Sequence, residues 1–161
     1  MRNSKTKGFT LIELIVVMAI IGVLAAILVP SMIGYLNDSK YSKANSNAKQ
    51  VYQSAANWCT KCEVNAKPVG ASAVTTEGAL NEKKQNSDIA YDGSDGDDLL
   101  VALKVYMGGN KNSGYAYASC INGAPTFGQW AGSSTEKTGI FGEYPAERAA
   151  NNKGTWGTAG T

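Results

Sequence analysis

The sequence predicts an α+β fold, one long amino-terminal helix kinked near Pro30 and packed against a small carboxy-terminal antiparallel sheet. Three observations predict it. Apolar residues are concentrated in the first 36 positions of the 161-residue chain. A stripe of mostly small residues at helical spacing continues from there to Trp58. Alternating segments with a hairpin signal come only late in the chain. A run of helix followed by a run of strands is the α+β layer pattern.

The first element is the apolar run. From Leu14 to Leu36, 23 residues carry no formal charge, and ~20 suffice to cross a bilayer core. Arg2, Lys5 and Lys7 stand just before it, which predicts a cytoplasmic amino end and an exported body. An ordinary signal peptide is the rival, since Val23-Leu24-Ala25 offers small residues for cleavage. Glu13 argues against it. A carboxylate inside an apolar helix costs about 2.5–3.5 kcal/mol at the helix centre and less near an end, so it asks for a partner. A cut after Gly8 would create one, the α-amine of Phe9, one helical turn before Glu13 on the same face.

Lys7-Gly8-Phe9-Thr10-Leu11-Ile12-Glu13-Leu14 closely resembles the class III signal of type IV pilins and type II secretion pseudopilins. The resemblance covers about residues 7–36. It implies that residues 1–8 are a leader removed by a prepilin peptidase between Gly8 and Phe9, and that Phe9 is then N-methylated. It implies that Glu13 pairs with the terminal amine of a neighbouring subunit, and that Gly22 and Pro30 are helix-loosening positions. The partners implied are copies of the same chain in a helical filament, the peptidase, the membrane, and an assembly platform with its ATPase machinery. The chain would be a single-pass cytoplasmic-membrane protein before assembly and part of a cell-surface pilus afterwards.

The second element extends the first. Ile33, Tyr41, Ala44, Ala48, Val51, Ala55 and Trp58 fall mostly three and four residues apart, opposite Asn37, Asp38, Lys43, Asn47 and Gln50. Residues 9–36 are therefore read as the membrane and polymerisation half of one helix, and 37–60 as its amphipathic half. The whole would be roughly 75 Å long at ~1.5 Å per residue. Pro30 removes a backbone donor and predicts a kink.

Residues 61–161 form the head. Leu99, Leu103 and Tyr106 share one side of a short helix over 99–107, ended by Gly108-Gly109. Gly114–Ile121 alternates aromatic and small residues, and Asn122-Gly123 is a strong hairpin signal. Thr126–Trp130 and Thr138–Tyr144 follow as strands, and Asn151–Thr161 reads as an irregular or frayed tail. Residues 64–98 carry the weakest signals. This plan of helix, variable loop, short helix and three or four strands is similar to that of Gram-positive type IV pilins.

Composition narrows the function. Histidine is absent, which removes histidine acid–base catalysis and the commonest zinc ligand. No catalytic constellation is visible, no cofactor is implied, and the reading is not an enzyme. The net charge of +2 comes from the amino end. Without residues 1–8 there are 12 basic against 13 acidic residues, so no dedicated nucleic-acid face is evident. Cys59-Thr60-Lys61-Cys62 and Cys120 are disulfide candidates in an exported body. Cys120 could pair with Cys59 or Cys62, and the spacing does not choose. Asp92, Asp95, Asp97 and Asp98 are a weak calcium candidate whose spacing fails the EF-hand pattern. A turn leading into the helix at Leu99 explains them without metal.

The leading reading is a structural subunit of a type IV pilus-like filament, with adhesion, motility or DNA uptake as properties of the fibre. The alternatives are a type II secretion pseudopilin and a membrane-tethered thiol or metal module built on the cysteines.

Overall fold

The fold is described from a computed structural model, for residues 8–108, 114–149 and 154–159. The chain divides between Asn37 and Asp38 into two compact units. Helix α1, Leu11–Val64, contributes to both.

In the first unit α1 buries nothing. Its large apolar side chains from Leu11 to Leu36 are all about half exposed or more, on a helix that is apolar all round, the pattern of one that other molecules bury. The helix continues through Gly22 and Pro30. Ser31 Oγ donates to Leu28 O (2.9 Å) in the turn around the proline.

In the second unit the same helix becomes one-sided. Ala44, Ala48, Val51, Ala55 and Trp58 are buried, as the helical spacing predicts. Ile33 is exposed, since it lies in the first unit. The helix also runs past Trp58 to Val64. Cys59 and Cys62 carry the buried stripe one turn further, which holds that turn in helical form.

The sheet is a meander in the order β1-β2-β3-β4, all pairs antiparallel. Its strands are β1 Val74–Ala79, β2 Tyr115–Ile121, β3 Ala124–Ala131 and β4 Phe141–Tyr144. The β2–β3 turn is Asn122-Gly123 with φ of +51° and +74°. Both residues are left-handed, as a two-residue hairpin with right-twisted strands requires. Strand β1 was not among the expected strands. The last expected strand begins at Phe141 rather than Thr138, because Glu136–Thr138 forms a 3₁₀ turn. Helix α2, Gly96–Met107, buries Leu99, Ala102 and Leu103 against the core.

The core lies between α1 of the second unit, α2, and the sheet face carrying Ala116, Ala118, Cys120 and Trp130. Strand β4 comes so close to α1 that a Cβ at Gly142 would fall 2.0 Å from the Ala44 carbonyl carbon. Asn45 holds that contact: its Oδ1 accepts from Glu143 N and Arg148 N, and its Nδ2 donates to Arg148 O.

The opposite sheet face is covered too. Gln129, wholly buried, donates to Thr155 O and Thr158 O and accepts from Gly157 N. Trp156 meets Tyr117 and Phe141 edge-on. The tail at 154–159 is irregular as expected but packed rather than frayed. Residues 109–113, 150–153, 160 and 161 lie outside the described residues, and with them Gly109 of the expected helix stop.

Candidate functional site: the amino-terminal segment

Gly8, Phe9 and Thr10 precede the helix, exposed and outside regular secondary structure. Space around Gly8 is open, and Phe9 is 89% exposed. The Gly8–Phe9 peptide bond is thus outside regular structure and reachable. Arg2, Lys5 and Lys7 lie outside the described residues.

Glu13 sits in the first turn of α1. Its Oε2 accepts from Thr10 N (2.8 Å) and Thr10 Oγ1 (2.7 Å), while Thr10 Oγ1 accepts from Glu13 N (3.4 Å). This is a reciprocal capping box, Thr10 at the cap and Glu13 at the third helical position. The sequence reading missed Thr10, although its T-x-x-E spacing is the signature of that cap. The carboxylate therefore has local donors in the isolated chain. Phe9, Ile12, Glu13, Val16 and Val17 line one exposed groove of about 350 Å³ there. The site combines an accessible bond, a carboxylate beside it, and an uncovered apolar helix.

The other sequence candidates lie in the head. Cys59, Cys62 and Cys120 are free thiols, wholly buried in the same core. The acidic loop is dispersed. Asp92 pairs with Lys67 at 3.2 Å, and Asp95 caps α2 by accepting from Asp97 N. Asp97 lies in the first turn of α2. Asp98 turns inward, accepting from Trp58 Nε1 (3.0 Å), Ala90 N (2.7 Å) and Asp92 N (2.9 Å). Among the described residues no three acids, cysteines or histidines are placed to hold a metal ion.

Comparison with known proteins bears on the amino terminus. Residues 3–29 match the prokaryotic N-terminal methylation motif family. The amino-terminal segment is similar to that of type IV pilins. Among relatives, the type IV major pilin protein PilA of Myxococcus xanthus (strain DK1622) is 52% identical over 50 residues, 31% of this chain and 23% of that protein. A type IV major fimbrial protein FimA of Dichelobacter nodosus is 50% identical over 49 residues, 30% of this chain and 31% of that protein. The chain thus spans about a quarter to a third of the length of the curated relatives it matches. No solved structure matches. The long helix on a small antiparallel sheet is α+β as in the type IV pilin fold, and that family is one of structural subunits.

Proposed function

We propose that the chain is the structural subunit of a type IV pilus-like surface filament. The carrying observation is an apolar helix surface, Leu11 to Leu36, that the chain itself leaves uncovered, most of it inside the match to the methylation motif at residues 3–29. Among the described residues α1 is the one helix long and apolar enough to cross a membrane. In this reading it is a single-pass anchor in the cytoplasmic membrane first and the filament core afterwards. Residues 1–8 are the leader, 9–36 the membrane and polymerisation segment, 37–60 the amphipathic half-helix, and 61–161 the head. The Gly8–Phe9 bond is the cleavage site of a prepilin peptidase, and Phe9 the methylated end. An assembly platform with its ATPase then draws subunits from the membrane.

The chemistry of assembly follows from Glu13. A buried carboxylate needs a countercharge or a full set of donors. Thr10 supplies two donors in the single chain. The neighbour's Phe9 amine adds the positive charge when apolar helices close around the group, so a misregistered subunit buries an unpaired ion. Gly22 and Pro30 are places where the helix loosens as it packs.

Mass spectrometry of sheared surface filaments tests the reading, with an N-methylated Phe9 as the expected first residue. A mature chain beginning after Ala25 would end it. In Glu13→Ala the protein is expected to insert and be processed normally while filaments are lost; normal filament yield refutes the pairing role.

A further inference from the structure

Charge in the head is segregated. From Ser39 through Cys62, α1 carries four lysines and no acid, whereas from Gln85 through Leu103 the chain carries five acids and no lysine or arginine. On α1 the side turned away from the core is an exposed face of Ser42, Ser46, Gln50 and Gln53. Lys43 and Lys49, six residues apart, stand on its two margins, and Lys40 lies one turn before Lys43. All three lysines are exposed, and among the described residues none is in an ion pair. Asp38 and Glu147 share a hollow with Lys49, and Glu136 shares another with Lys40 and Lys43, yet none of these acids closes a pair with them.

The acids form a rim at another height. Asp98 turns inward onto Trp58, and Asp92 pairs with Lys67. Asp88, Asp95 and Asp97 are left exposed, and none pairs with a cation among the described residues. The bond from Trp58 Nε1 to Asp98 (3.0 Å) sets the start of α2 level with Trp58. Lys49 and Lys43 stand 9 and 15 residues earlier on the same helix, about 14–23 Å away at ~1.5 Å per residue. The two patches are therefore opposite in charge and too far apart to neutralise each other within one chain. We propose that the acidic rim of one subunit, Asp88, Asp95 and Asp97, lies against the lysine-edged α1 face of a second copy displaced along the helix by about that distance.

Two different patches that join identical molecules make a heterologous contact, and one that does not close propagates as an open helical array. The inference rests on the filament reading and adds to it which head surfaces meet. A single exposed ion pair contributes little, so the apolar helices still hold the subunits together. The head contact sets register instead, because a wrong stagger lays lysines against lysines. It also relieves the repulsion between Lys40 and Lys43, like charges one turn apart on the lone helix.

Cross-linking of the native filament tests the contact. Sheared filaments are treated with a water-soluble carbodiimide, which joins a carboxylate to an amine in contact with it, and are then dissociated and digested. The expected product is a ladder of dimers and higher species whose linked peptides join Lys40, Lys43 or Lys49 to Asp88, Asp95 or Asp97. Filaments that begin at methylated Phe9 but give no ladder, or links elsewhere only, overturn the proposal and leave the filament reading standing. Surface material without filaments overturns both. Lys43→Glu with Lys49→Glu, and Asp88→Lys with Asp97→Lys, are each expected to lower filament yield several-fold with leader cleavage unchanged, and the four together to restore it. Native yield from both one-sided variants overturns the contact. So do stripe lysines acetylated as fast in filaments as in detergent-dispersed subunits, since the face is then open to another occupant such as DNA or anionic lipid.

Discussion

Asp98 ties α2 to two other segments with one carboxylate, through Trp58 of α1 and the backbone at Ala90 and Asp92. Removing it strands the buried indole N–H of Trp58 and leaves two part-buried backbone donors without their acceptor. Asp98→Ala is expected to cost about 2–4 kcal/mol by urea unfolding, and Asp98→Asn less, since it retains an acceptor. Glu77 is a gentler case. Its carboxylate takes Lys137 Nζ at 2.6 Å, and that ammonium also sits 4.2 Å over the Tyr115 ring. The hydrogen bond from Lys137 holds the Glu77 pKa below its ordinary 4.5. A pKa depressed in the folded state gives stability that is present above about pH 4.5 and lost as pH falls through the folded value. Glu77→Gln is thus expected to flatten the acid arm of a stability–pH curve below that pH and to change little at neutrality. With the Glu77 side chain 44% exposed, solvent screening keeps this effect small.

At the scale of elements, α2 starts where its acids place it. Asp95 accepts from Asp97 N at 2.8 Å, satisfying a first-turn donor, and Asp95→Ala is expected to cost about 1 kcal/mol in head stability. That helix was legible because its signals are local: acids before an apolar period, and a glycine after it. The β2–β3 hairpin was legible for the same reason, since Asn122-Gly123 needs no partner elsewhere to define the turn. Strand β1 was not. Its β-branched Val74-Thr75-Thr76 is brief, Gly78 interrupts it, and its pairing partner β2 lies beyond α2. The tail escaped similarly, because Gln129, far away in sequence, supplies the hydrogen bonds that fix it. Within the candidate site, Gly8, Phe9 and Glu13 stood out through the likeness of residues 7–14 to a class III signal, whereas the Thr10 cap was hidden behind the more conspicuous carboxylate. The cysteine positions were readable, but their meeting in one buried core was not, since that depends on how the end of α1 packs on β2.

For the whole molecule, the division between Asn37 and Asp38 separates two kinds of stability. The head carries its own core, with α1 from Ala44 onward packed on the sheet. The first unit contributes no buried residue among those described, so its apolar surface is left for other molecules to cover. A chain beginning at Asp38 should therefore lose none of the head's core. Its new helix start also carries Asp38, a favourable charge at a helix amino end. Such a chain is expected to be soluble without detergent and to unfold cooperatively in urea. Its midpoint should lie close to that of the head in the full-length protein, and it should form no filaments. The full-length chain needs detergent or lipid, because roughly two dozen residues of apolar helix cannot be left in water without association. A head that aggregates or melts without cooperativity would mean that the first unit stabilises the second. A truncated chain that still polymerises would mean that the subunit contacts lie on the head rather than on Leu11 to Leu36.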